Sequence, residues 1–391
     1  MTRIDLTRSA VLAPALLLAL LLALLLAGCN DVTEYKPPAV GQNGEILVVT
    51  DSATWAGPVG EALRATLGRE SRTYPQPTPV FSLKQQALSD YALQGIQRQH
   101  SLVFAAPFTD TSATARFLRA RFDSSGVAAL ERGGNGIIAR NDLWMDDQLV
   151  VYATAPNDTA LAAQIRAAGD DLRTTFRALA RERLAEDMFD KGRQTDVEAD
   201  LLDAHDFAVN VQHDYVTIAD TTFLNDRGER GTFVRLRRLA GQDSWRDLFV
   251  YYEEDPRLER LHPDSVRALR NRLTERFVRG TFPESYIAIE ERDLVRRPVE
   301  TDTVSLAGRF AIETRGTWRM TGDAMGGPFV SYAFFDEDTG RFYLIDGMIY
   351  GPRYTNEEKR EFLRQMEAIA YTFRTDDDAT AEILADSAPA E

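Results

Sequence analysis

One cysteine sets the frame for everything else in this 391-residue chain. Cys29 closes an unbroken apolar run from Val11 to Ala27, and no second cysteine exists. Downstream of it the chain can build no disulfide, no thiolate metal site and no cysteine nucleophile, so its stability must come from burial, hydrogen bonds and ion pairs. Composition permits that. Hydrophobic residues make up 44% and charged residues 27%, ordinary for a globular chain and too apolar for a disordered one. At roughly 100–200 residues per domain, the length holds two or three domains with ample core.

Charge narrows the partners. A net charge of −15 argues against binding nucleic acid, whose backbone demands clustered Lys and Arg. Lys36, Lys84, Lys191 and Lys359 are the only lysines, and every other basic residue is arginine. Arginine keeps its charge and pairs bidentately with carboxylates. A salty habitat or plain base composition would each produce this bias.

Residues 1–28 read as a signal peptide: Arg3 and Arg8 form a positive n-region, and Pro14 shortens the regular part of a run already at the lower limit for spanning a bilayer. The ending Leu26-Ala27-Gly28-Cys29 resembles the lipobox of bacterial lipoproteins. That resemblance implies cleavage before Cys29, a diacylglyceryl thioether on its sulfur and acylation of the new amine; two or three chains anchor durably where one binds marginally. The competing readings are an uncleaved signal anchor, or secretion with a fortuitous cysteine. Residues 29–43 follow as a tether containing Pro37 and Pro38. Asn30 is not the aspartate associated with inner-membrane retention, which favours the outer membrane of a bacterial cell envelope.

The body divides by pattern at residue 192. In 44–192, Glu45–Thr50, Ser101–Ala106 and Gln148–Ala153 are apolar strands, Val59–Leu67 and Leu83–Gln97 read as helices, and Asp158–Phe189 as one long amphipathic helix. The three prolines of Tyr74–Pro79 demand an extended loop. This half is α/β-like with some parallel pairing. In 193–374, strand patterns at Phe207–Ala219, Thr232–Leu239, Leu248–Tyr252, Tyr286–Glu290, Arg309–Thr314, Phe329–Phe335 and Arg341–Met348 predict a mostly antiparallel sheet. Helices at Pro263–Val278 and Asn356–Ala370 flank it, and residues 336–340 form a hairpin turn. The fold class is α+β. Residues 375–391 read as an acidic disordered tail.

Several stretches resemble the DUF4837 family of lipoproteins, found mainly in Bacteroidota-like envelopes. They are Gly44–Asp51 with Trp55, Pro75–Pro77 before Phe81, Asp142–Trp144 with Gln148, Asp214–Val216, Asp247–Tyr251, Gly280–Pro283 with Tyr286, Arg315–Trp318, Met325–Phe329 and Met348–Pro352. Together they span residues 40–373. The family has no assigned activity, so the resemblance implies location and boundaries and carries no catalytic residues.

Two His-Asp pairs, His205-Asp206 and His213-Asp214, are the clearest polar constellation. A catalytic metal needs three or more converging protein ligands. Residues eight apart on one strand lie about 26 Å apart, so strand-end turns are the simpler reading and no metal is expected. Met325-Gly-Gly-Pro-Phe329 reads as a tight turn or bulge leading into a strand. With Trp318 and Tyr332 beside it, the set Trp318, Met325, Gly326, Gly327, Phe329 and Tyr332 is the best binding face the sequence offers. Gly134–Ala139 mimics a dinucleotide fingerprint, but the strand follows the glycines, which reverses the required order. Asp336–Gly340 has the wrong spacing for a calcium loop. Glu253, Glu254 and Asp255 with Glu290 and Glu291 could act as acid and base across a sheet. No G-x-S-x-G, H-E-x-x-H or Walker motif occurs, and no cofactor is expected. The sequence thus favours a non-enzymatic, lipid-anchored envelope module that binds an envelope protein or small molecule, with a His/Asp/Glu hydrolase as the alternative.

Overall fold

The computed structural model describes residues 35–225, 227–239, 244–254, 258–292 and 297–375. The expected leader 1–28, the lipid-attachment residue Cys29, Asp255 and residues 376–391 lie outside the described residues.

The N-terminal lobe is a three-layer α/β body. Its elements are β1 (Glu45–Val49), α1 (Ser52–Ala56), α2 (Pro58–Thr66), β2 (Glu70–Ser71), β3 (Thr78–Pro79), β4 (Ser82–Gln86), α3 (Asp90–Gln97) and β5 (Ser101–Ala105). Then come α4 (Ala113–Arg119), α5 (Ser124–Glu131), β6 (Ile137–Asn141), β7 (Leu149–Ala153), α6 (Asp158–Ala167) and α7 (Gly169–Phe189). The sheet order is β4-β1-β5-β7-β6, parallel except for the β6–β7 pair. β5 and β7 are buried along their whole length, as strands covered on both faces must be. Helices α2, α6 and α7 cover one face through Val59, Leu63, Leu161, Ile165 and Phe176. Helices α3 and α4 cover the other through Ile96, Ala115 and Leu118.

Two expectations for this lobe are corrected. Leu83–Gln97 is not one helix: residues 82–86 extend as β4 beside β1, and Ser89 caps the shorter α3 by accepting from Ala92 N. The long helix is two, interrupted at Ala168; at Gly169, which opens α7, a Cβ would lie 2.6 Å from Thr66 Cγ2, so α2 packs close there. Helix α7 reaches the second lobe through Arg177. Part of the expected tether is also pinned down. Pro38 bridges Asp146 and Val40 bridges Gln99, while Lys36 Nζ donates to the Asp142 carbonyl.

A helix that the pattern did not reveal, α8 (Thr195–His205), opens the C-terminal lobe. Its buried residues are Glu198, Leu201 and His205, two of them polar, and four of its eleven residues are acids, so no apolar stripe stands out. After it come β8 (Tyr215–Leu224), β9 (Arg230–Leu239), β10 (Trp245–Glu253), α9 (Pro263–Phe277), β11 (Ile287–Ile289), β12 (Glu300–Leu306), β13 (Arg309–Met320), β14 (Gly326–Asp336), β15 (Arg341–Tyr350) and α10 (Asn356–Ala370). The sheet is antiparallel, in the order β11-β13-β14-β15-β10-β9-β8, with β12 beside β13. The expected strand Phe207–Ala219 begins only at Tyr215; residues 207–211 are a buried irregular segment joined to Arg374 through Ala208. Alternation sends Phe249, Phe329 and Leu344 towards α9, and Val250, Tyr332 and Ile345 towards α10. Thr355 and Glu358 form a reciprocal capping box that starts α10.

Helix α10 lies so close to β15 that a Cβ on Gly347 would meet Met366 Cβ at 2.4 Å. Gly347→Ala is therefore expected to lower stability by about 1–3 kcal/mol through overpacking, read as a shift in the urea midpoint at unchanged slope.

Candidate functional site

Leu172, Phe176 and Ala180 of α7 bury into the N-terminal core, and one residue beyond each stands an arginine: Arg173, Arg177 and Arg181. Positions i, i+4 and i+8 lie along one flank of a helix. That flank faces the C-terminal lobe, where β13 offers Glu313 and Arg315 and α10 offers Glu367. Arg177 Nη2 lies 3.1 Å from Glu313 Oε2 and 3.4 Å from Glu367 Oε2. Arg315 reaches the same two carboxylates, at 2.7 Å to Glu313 and 2.8 Å to Glu367. Tyr332 Oη donates to Glu313 Oε2 at 3.0 Å.

Two guanidinium groups and two carboxylates thus alternate at the lobe junction. Burial acts to raise the Glu313 pKa, yet Arg177 and Arg315 together hold it well below the usual carboxylate range. Glu367 is lowered in the same way, against burial, by Arg315 and Arg177. The Tyr332 hydroxyl is driven well above its ordinary value by burial and by the Glu313 charge. It stays a neutral donor.

Above this ionic floor lies a cavity of about 440 Å³. The β2–β3 strap supplies Arg69, Ser71, Thr73 and Tyr74, β12 supplies Glu300, Thr301 and Asp302, and α10 supplies Arg360 and Arg364. Seven of the residues lining it are arginines, against five carboxylates. Arg360 and Arg364 hold the strap in place, donating to the carbonyls of Pro79 and Val80 at 2.6 Å each. Burial pushes the Tyr74 hydroxyl up to about 12, so it too stays protonated. At the floor of the cavity the charges of Glu313, Arg315 and Glu367 are buried and held in fixed pairs.

The residues singled out from sequence are dispersed. Trp318, Phe329 and Met325 belong to the core beneath α9, with Trp318 stacked on Trp245 at 5.3 Å. Tyr332 faces the opposite side of the sheet, because it is three residues from Phe329 on a strand with period two. Gly326 and Gly327 are extended strand residues of β14 rather than a turn, and Trp318 Nε1 donates to the Ile349 carbonyl at 3.2 Å across Gly327. These six residues form no common surface, and only Tyr332 reaches the ionic floor.

The two His-Asp pairs do not converge either. His205 bonds Tyr252 Oη at 3.1 Å and Asp220 at 3.0 Å, while Asp206 caps α8 in the left-handed region and pairs with Arg341. His213 is exposed, and Asp214 pairs with Arg238. Glu253 is buried against Arg260 and Arg227; Glu290 pairs with Arg292, and β13, β14 and β15 stand between β11 and β10. Among the described residues no three His, Cys, Asp or Glu side chains are placed to hold a metal ion.

The architecture is that of a two-lobed α+β protein with a charged cavity at the lobe junction. The C-terminal lobe is similar to the DUF4837 family: residues 194–372 match its model, described as a domain of unknown function. Residues 39–189 match a second model, DUF8532, also described as a domain of unknown function, so the stretch that the resemblance spanned divides between two families. No curated protein matches the chain.

Proposed function

We propose that this protein is a non-enzymatic binding module of the bacterial cell envelope, moored to a membrane by lipid on Cys29, with the interlobe cavity as its binding site. The observation that carries the binding role is that both lobes contribute preset charged side chains to one cavity. Mooring rests on the Leu26–Cys29 motif. No described helix is long and apolar enough to cross a membrane.

Labelled palmitate is expected to enter the native protein and to be absent from Cys29→Ala, which leaves the membrane fraction. Mass spectrometry showing a free thiol at Cys29 in the native protein would reject the anchor. Crosslinking in intact envelopes, compared between wild type and Cys29→Ala, then tests whether binding depends on the mooring.

A further inference from the structure

The arginines that line the cavity differ in how they are engaged, and the difference defines a ligand. Among the described residues Arg69 and Arg181 have no carboxylate partner, and Arg173 has only Asp170, at 2.7 Å. The Arg181 guanidinium lies 3.4 Å over the Tyr371 ring, which fixes its plane while leaving the edge N–H groups unbonded. With Arg69 and Arg181 free of carboxylates and Arg173 bonded only to the exposed Asp170, the cavity offers donors to a multiply charged oxyanion that can accept from several arginines at once. Acidic residues line the cavity too. Glu300 and Asp302 of β12, in register with Arg315 and Glu313 of β13, stand among hydroxyl groups as acceptors for a ligand's own hydroxyls and as a barrier to a second anionic group. The floor carboxylates Glu313 and Glu367 are fully engaged by Arg177 and Arg315 and offer nothing to a cation.

We propose that the interlobe cavity binds a phosphorylated polyol or sugar, its phosphate on Arg69, Arg173 and Arg181 and its hydroxyls on Glu300 and Asp302. The proposal rests on the binding-module reading of this cavity and supplies its ligand class. A monosaccharide phosphate suits about 440 Å³, inside the ordinary range for small-molecule sites. A dicarboxylate would press its second charge against Glu300 and Asp302, and an amine would meet the arginines.

The test titrates full-length protein in detergent with glucose 6-phosphate by calorimetry at low salt, with glucose and inorganic phosphate as controls. Glucose 6-phosphate is expected to bind at least about tenfold more tightly than either control, and more weakly as salt is raised. Arg173→Gln/Arg181→Gln should weaken it by about tenfold or more. Arg69→Gln and Asp302→Asn change exposed positions and leave the fold intact. The first should weaken glucose 6-phosphate binding, and the second should narrow its advantage over inorganic phosphate. A parallel arm adds vesicles of phosphatidylcholine with phosphatidylinositol 4-phosphate; displacement of the sugar phosphate assigns the group to a lipid head, and lack of displacement to a soluble ligand. Equal affinity for glucose 6-phosphate and inorganic phosphate overturns the proposal, as does unchanged affinity in Arg69→Gln and the double variant. Palmitate labelling is read separately, so loss of this ligand leaves the anchor standing.

Discussion

Arg315→Met is expected to destabilise the protein by about 3–5 kcal/mol near neutral pH, because it leaves a buried carboxylate without its cation. Arg315 is bonded to both Glu313 and Glu367, and after its loss Arg177 alone must serve the two. The pH dependence should change sign as well. In the native protein both carboxylates are held below the usual range, so their stabilisation is complete above the unfolded value of about 4.3 and is lost only as pH falls towards their folded values. These two carboxylates should add no slope to the wild-type profile between about pH 5 and 8. In the variant two neighbouring carboxylates share one guanidinium, and one of them retains a proton in the folded state. A raised folded value gives stability that is present in acid and lost as pH rises. Urea unfolding across that range reads the difference, and parallel profiles for variant and wild type would show that the junction does not couple these charges. Glu313→Gln, which leaves one carboxylate for two guanidinium groups, should lack the inverted slope.

This cluster also marks the limit of what the sequence makes visible. Helix α10 was legible to the residue, since the capping residue Thr355, the acids after it and the spacing of Phe362, Met366 and Ile369 all agree on one element. Hairpin β14–β15 was legible for the same reason. The alternation of faces was visible too, but it cannot say which face meets α9 and which α10. The six residues gathered around Met325–Phe329 therefore read as one surface and fold onto two. The cavity was illegible for a different reason. Arg177 lies 136 residues from Glu313 and 190 from Glu367, and no local pattern records contacts at such separations. One trace was on the page: arginines at 173, 177 and 181, one step round from the apolar stripe of α7. On an isolated helix that is a solvated flank. Only the packing of α7 against β13 and α10 of the second lobe makes it a wall. The preference for arginine over lysine gains a structural meaning here, since a bidentate fork can bridge two carboxylates, as Arg315 does, where an ammonium is a point charge.

The second large effect is expected on the far side of the same sheet. Asp346→Asn should destabilise the protein by about 3–5 kcal/mol, whereas Arg270→Met/Asp346→Asn should recover most of that loss. Arg270 of α9 and Asp346 of β15 are wholly buried, with Nε to Oδ2 at 2.6 Å and Nη2 to Oδ1 at 3.3 Å. Ser331 donates to the same carboxylate, and the guanidinium packs 3.8 Å over the Phe329 ring. Arg270 Nη1 has no hydrogen-bond partner among the described residues. Burial outweighs Arg270 and Ser331 and leaves the Asp346 pKa raised, so this pair is held at a desolvation cost that its own attraction does not fully offset. By the linkage rule, a raised carboxylate contributes stability that is present in acid and declines as pH climbs past the unfolded value of about 3.9. Neutralising Asp346 alone strands the Arg270 charge in the core. Replacing Arg270 with methionine fills similar space beside Phe329, and the amide oxygen that takes the place of the Asp346 carboxylate still accepts from Ser331. A double-mutant cycle measured by urea unfolding isolates the coupling, and it should equal most of the single-variant loss. If the two single variants simply add, the pair is not the unit that fixes α9 to the sheet, and the packing of Val266, Leu269 and Leu273 against Phe249 and Phe329 must hold the helix unaided.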